Sequence, residues 1–219
     1  MLNVFYLVAI IIGISGQSIV KKPYTQKTNG GGVYFFNTLL SAAALLFFVV
    51  TSSKLNFSLS FVPYSVGFAV SYAVASVFMV LAIAYGSLSL TSLFISYSLM
   101  IPTFYGLIIG DPIGKGFIPG MILLVISLFL TNKMDEKGKI SLKWIIFVIL
   151  SFVGNGMCTV VQKMQQVSSN GAYKNEFMIV ALAIVTVVML IMSILKECTE
   201  IKFFAKVGWH GAIICGAIN

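Results

Sequence analysis

Arginine is absent: all fourteen basic residues of this 219-residue chain are lysines. Acid is scarce as well, with six Asp and Glu, and charged residues make up 9% of the chain against roughly a quarter in a soluble domain. There is one histidine, and the three cysteines (Cys158, Cys198, Cys215) include no CxxC pair. These shortages exclude a disulfide framework and a Cys/His zinc centre, so no metal and no cofactor is expected. No Ser/His/Asp set or acid pair is visible, and the chain is read as a non-enzyme. A basic n-region and an Ala-x-Ala site are also missing from the first twenty residues, where Lys21 and Lys22 follow the apolar run instead of preceding it. That run reads as a retained helix, not a cleaved signal peptide.

What is there is apolar. Hydrophobic residues make up 59% of the chain, and the mean hydropathy is +1.02. The expected fold class is therefore an all-α integral membrane protein. The net charge of +8 comes from lysines set between apolar stretches, which read as membrane-flanking charges with no nucleic-acid partner. Lysine to the exclusion of arginine, with many Ile, Phe and Asn, suggests AT-rich coding and a low-GC bacterium. The expected location is a bacterial plasma membrane, as a multi-pass protein whose constant partner is the lipid bilayer.

A spanning helix takes about 20 mostly apolar residues. Runs of that kind occupy 2–20, 33–51, 61–85, 88–109, 113–131, 142–164, 176–195 and 205 to the end, giving seven complete spans and part of an eighth. Shifting the chain by 141 residues aligns Gly13 with Gly154, Val20 with Val161, Lys22 with Lys163, Asn29-Gly30 with Asn170-Gly171, Phe36 with Phe177, Ala42 with Ala183, and Val66-Gly67 with Val207-Gly208. The alignment has no gap, and it marks an internal duplication. Residues 1–140 form a first repeat of five helices, and 141–219 an incomplete second repeat of two helices and part of a third. An odd number of helices per copy inserts the copies from opposite sides, the inverted five-plus-five architecture of many secondary transporters. The same offset carries Asn219 onto Phe78, in mid-helix, so the expected whole has ten helices.

With the N-terminus outside, the cytoplasmic connections would hold ten lysines (Lys21, Lys22, Lys27, Lys133, Lys137, Lys139, Lys143, Lys196, Lys202, Lys206) and the external ones four. The charge rule favours that orientation. Lys22 and Lys163 are repeat mates on opposite faces and carry no orientation signal, so the side is left open.

The stretch from Ala82 reads Ala-Ile-Ala-Tyr-Gly-Ser-Leu-Ser-Leu-Thr-Ser, then a helix interrupted by Pro102, then Gly110-Asp111-Pro112 and a glycine-rich run from Gly116 to Gly120. In this order the motifs resemble the EamA-type transporters of the drug/metabolite transporter superfamily. Ser87 stands where that family usually has Pro, and Asp111 where it usually has Glu. The resemblance implies two five-helix repeats and a transporter that exports amino acids and other metabolites, moves nucleotide sugars or expels toxic cations. It also implies a central cavity among helices one, three, four, six and eight. Gly110 to Gly116 has neither Walker A spacing nor its Ser/Thr, and reads as a turn.

Polar side chains within apolar helices face the bundle interior or a wet cavity, because hydrocarbon offers them no partner. Gln17, Asn37, Asn155 and Gln162 are the intramembrane amides, able to donate and accept, as a zwitterionic or neutral polar substrate requires. Tyr72, Ser76 and Tyr97 are candidate cavity-lining residues on the third and fourth helices, with interhelical packing as the plainer reading. Pro102 removes a backbone donor and kinks its helix. His210 is a candidate hydrogen-bonding or proton-linked residue. All six acids fall in loops or at helix ends, which disfavours proton-coupled export of lipophilic cations. The sequence therefore points to a secondary transporter that exports or exchanges a small polar metabolite, as a monomer or homodimer. The alternatives are multidrug efflux and a membrane-embedded binding or assembly protein without transport.

Overall fold

A computed structural model describes residues 16, 19–52, 55–111, 116, 118–120, 122–123, 126, 141–168 and 171–218. Its helices are α1 over 19–27, α2 over Val33–Thr51, α3 over Val62–Tyr85, α4 over Leu88–Ser96, α5 over Met100–Ile108, α6 over Leu142–Val167, α7 over Lys174–Glu197 and α8 over Ile201–Ile218. Serine sets two of these starts. Ser87 accepts from the Leu90 N–H and Ser141 from the Trp144 N–H, both at 3.2 Å, supplying partners for donors the first turn leaves orphaned.

Among the described residues five stretches are long and apolar enough to cross a membrane: Val33–Thr51, Leu59–Tyr85, Leu88–Ile108, Leu142–Val167 and Lys174–Ile213. The last has 40 residues, which as one helix would run about 60 Å, twice the bilayer core. The chain instead turns at a 3-10 element, Cys198–Glu200, and α8 returns beside α2, with Phe204 against Gly31, Gly211 facing Phe36 and Gly216 against Leu40. The predicted spans 2–20 and 113–131 lie largely outside the described residues.

α2 and α7 pack antiparallel, since the start of α2 meets Glu197 at the end of α7, and Ser41 meets Thr186 midway. α3 and α6 are antiparallel too: Phe68 lies by Cys158, Ala75 by Ser151, and Phe78 by Phe147. α1 and α8 repeat that relation, with Val20 by Gly211 and Tyr24 by Gly208. Gly154 is what lets α6 approach α3 so closely. A methyl group there would sit 2.8 Å from the Ala75 nitrogen.

Phe36 and Phe177, repeat mates in the sequence, are both fully buried. Phe36 joins Tyr24, Val80, Ala212 and Cys215 in one apolar cluster, while Phe177 joins Phe61, Phe68 and Cys158 in another. Leu46, Val50, Ile146, Ile149, Val188, Ile191 and Leu195 point outward and exposed. Helices apolar inside and outside alike belong in hydrocarbon, and the chain is a multi-pass helical membrane protein.

The predicted fourth span is not one helix. A 3-10 turn, Tyr97–Leu99, separates α4 from α5. Pro102 has no N–H to offer the Ser98 carbonyl one turn back, and the break falls at that turn.

Candidate functional site

The broken fourth span meets one of the predicted polar residues, Asn155, through the serine that follows another, Tyr97. Asn155, half-buried in the middle of α6, donates from Nδ2 to Ser98 Oγ at 2.6 Å, inside the 3-10 turn that also holds the buried Tyr97. Glycine on either side of Asn155 permits this: Gly154 seats α3, and Gly156 packs on Ile101 of α5. The Pro102 break and the Asn155 amide thus meet in one place. Deeper toward the start of α6, the Trp144 indole donates to Thr91 Oγ1 at 2.9 Å and lies against Gly86, fastening the short α3–α4 junction.

The other predicted residues are dispersed. Tyr72 stacks on Phe68 with ring centroids 5.9 Å apart and packs against three apolar clusters, so its ring is core. The Ser76 hydroxyl donates to Ala73 O within its own helix at 3.3 Å. Asn37 is 1% exposed and donates to Val33 O, while its Oδ1 has no partner among the described residues. Gln162 is half-buried on α6. His210 is exposed on α8 and lies over Trp209 with centroids 3.6 Å apart. Gln17 lies outside the described residues.

A cavity of ≈ 400 Å³ opens at the end of the bundle where α1 hands over to α2. It is lined by the Gly30–Gly32 turn, Tyr34, Lys196, Glu197 and Phe204 among others, and by none of the predicted site residues. Glu197 dominates it, accepting from the Tyr34 N–H at 3.0 Å through Oε1 and from the Phe35 N–H at 2.7 Å through Oε2. A carboxylate thereby fills the positive end of the α2 dipole. The Lys196 ammonium stands 5.7 Å from the centre of the Tyr34 ring. Tyr24, just past the predicted first span, donates to Gly32 O at 2.7 Å. Burial, and then the nearby Glu197, hold its phenol well above the usual tyrosine range, so it remains a donor. At the opposite end Glu176 accepts from the Asn56 N–H at 2.8 Å.

Lys163 forms an ion pair with Asp111. α5 ends in a Schellman arrangement, with Gly110 N–H on Leu107 O at 3.2 Å and Asp111 N–H on Gly106 O at 2.9 Å. Gly110 takes φ 84°, a conformation a Cβ would penalise, and so delivers Asp111 to Lys163. The Gly-Asp turn read from the sequence is thus a helix cap with a charge partner.

Sequence reasoning passed over Glu197 and Lys21. Glu197 looked like an interfacial acid, and its contact spans 163 residues of sequence. Lys21 looked like a flanking charge, yet it is 6% exposed, with Nζ 3.5 Å from Met79 Sδ. The signal available was positional, because the 141-residue shift carries Lys21 onto Gln162, an amide already singled out. Comparison of the chain with protein-family models, curated proteins and solved structures finds no match.

Proposed function

We propose that this chain is a secondary transporter, built as an inverted repeat and exporting or exchanging a small polar metabolite by alternating access in a bacterial plasma membrane. The observation that carries the reading is the α2–α7 seam. The two helices begin at Val33 and Lys174, separated by the repeat offset, and run antiparallel, as copies inserted from opposite sides must. The contacts across the seam exchange under the same shift. Phe35 and Glu197 map onto Glu176 and Asn56, and each pair is joined by a carboxylate accepting a backbone N–H. α3 against α6 and α8 against α1 are likewise exchanged by the shift. Such pairs support rocking of one copy against the other about the seam.

The Asn155–Ser98 contact at the broken span supplies hydrogen-bonding groups at mid-helix, where irregular backbone is tolerated when it lines a cavity. The motifs from Ala82 to Gly120 and their EamA-type resemblance agree with this reading, and the chain acts without bond chemistry. Proteoliposomes preloaded with unlabelled metabolites should accumulate the matching labelled one by counterflow. Asn155→Leu should slow that exchange about tenfold or more while its thermal stability shifts little, an interhelical hydrogen bond in a membrane being worth about 0.6 kcal/mol on average. A stable copurifying membrane partner, with no counterflow for any metabolite of a broad panel, would replace this reading with the assembly-protein one.

A further inference from the structure

Lys21 and Lys22 are neighbours in sequence with opposite fates. Lys22 is exposed, as expected of a lysine that reaches for the interface. Lys21 is 94% withdrawn from the surface (6% exposed), and its ammonium has three donors to satisfy. What it meets is a thioether, Met79 Sδ on α3 at 3.5 Å, a weak acceptor, with the fully buried Cys215 of α8 as its electrostatic neighbour. Among the described residues the one ion pair is Lys163 with Asp111, so no carboxylate there neutralises Lys21.

Its direction is informative. α8 runs antiparallel to α1, with Gly208 level with Tyr24 and Gly211 level with Val20. Cys215 therefore lies about a turn deeper in the bundle than the Lys21 backbone. A helical side chain leans toward the N-terminus of its helix, which here means into the bundle. The ammonium points along α1 toward its N-terminus, into the bundle and not toward the Gly30–Gly32 turn. Burying an unpaired ammonium costs several kcal/mol, and an ionisable group kept inside a membrane bundle by default marks a functional site.

We infer that Lys21 is the counter-charge for an anionic ligand and binds the carboxylate of a small organic acid or amino acid between α1, α3 and α8. The inference rests on the transport reading and narrows its cargo to metabolites that carry a carboxylate. One buried amine with soft, apolar neighbours, held cationic by the ligand's own charge, suits a single carboxylate better than a doubly charged phosphate ester. The matching position in the second copy, Gln162, is neutral, so only one of the two mates supplies charge.

The test uses the purified full chain in detergent with a panel of amino acids, the corresponding amino-acid amides, simple amines, and sodium chloride at matched ionic strength. The readout is the thermal unfolding midpoint, compared for wild type, Lys21→Met, Lys21→Gln and the control Lys22→Met. At least one carboxylate should raise the midpoint of wild type and K22M by about 2–4 °C at saturation. Neither Lys21 variant should respond, and K21M without ligand should be no less stable than wild type, because an unpaired buried charge has been removed. If the amides or chloride alone give the same shift, if both Lys21 variants keep the response, or if no carboxylate shifts wild type, the inference falls. The two readings fail separately. Loss of the carboxylate response in K21M without counterflow by wild type would remove transport and keep the site, whereas counterflow of neutral metabolites unchanged in K21M would do the reverse.

Discussion

α1 and α6 stand at the repeat offset, yet their polar residues live differently. Along α6, Trp144 bonds Thr91, Asn155 bonds Ser98 and Lys163 pairs with Asp111, so three polar side chains in succession meet the fourth span or its cap. Along α1, Lys22 is exposed, Lys21 faces Met79, and Tyr24 turns back onto Gly32 O. Lys22 and Lys163 are identical mates, whereas the shift carries Trp144 onto Asn3, Asn155 onto Ile14, Lys21 onto Gln162 and Tyr24 onto Gln165. For the lysine pair what differs is the neighbouring helix, and a polar group within a membrane bundle takes its role from the partner that neighbour provides.

The largest way to break the contrast is to remove the anchor of the α6 side. Trp144→Ala empties the buried indole site on Gly86 and leaves the Thr91 hydroxyl without its donor, and should cost about 3–5 kcal/mol, read as a lower unfolding midpoint and a broadened size-exclusion peak. On the α1 side Tyr24→Phe keeps the ring against Gly208 and deletes one buried hydrogen bond. About 1 kcal/mol should be lost, equally across the neutral pH range, because the phenol there stays protonated. Asp111→Asn should have the smallest effect, about 0–1 kcal/mol and diminishing with added salt, since both partners of the ion pair are partly exposed at 28% and 44%. An Asp111 effect as large as that of Trp144 would mean that charge, not packing, fastens α6 to the fourth span.

Much of the fold was legible. Hydropathy placed 33–51 and came within three residues at the ends of 61–85 and 142–164, because nothing but bilayer thickness and terminating charge, Pro or Gly decides such boundaries. Pro102 announced the interruption of the fourth span, although the break surfaces at Tyr97–Leu99, a turn upstream, where the missing donor is felt. The seventh and eighth spans were separated correctly by the charge-bearing stretch around Lys196 to Lys202.

Less of the site was legible, for a geometric reason. Each residue turns a helix by about 100°, so Lys21 and Lys22 face different neighbours although composition treats them alike. His210 is polar and within an apolar run, and the helical turn leaves it exposed beside Trp209. Glu197 caps a helix that is distant in sequence, and no local pattern announces a cap supplied in trans. Asn155 was legible as an amide within an apolar helix, but its partner Ser98 lies 57 residues away and no local pattern points to it.

The proposed inverted relation of two copies is tested most directly by the side from which the mates Lys22 and Lys163 are reached. Cys198 is exposed and the other two cysteines are buried, so Cys198→Ser gives a quiet background for Lys22→Cys and Lys163→Cys, introduced singly. A membrane-impermeant thiol reagent added to intact cells should label one of the two and spare the other, and should label both once the cells are opened. Labelling of both positions from the same side in intact cells would contradict the account.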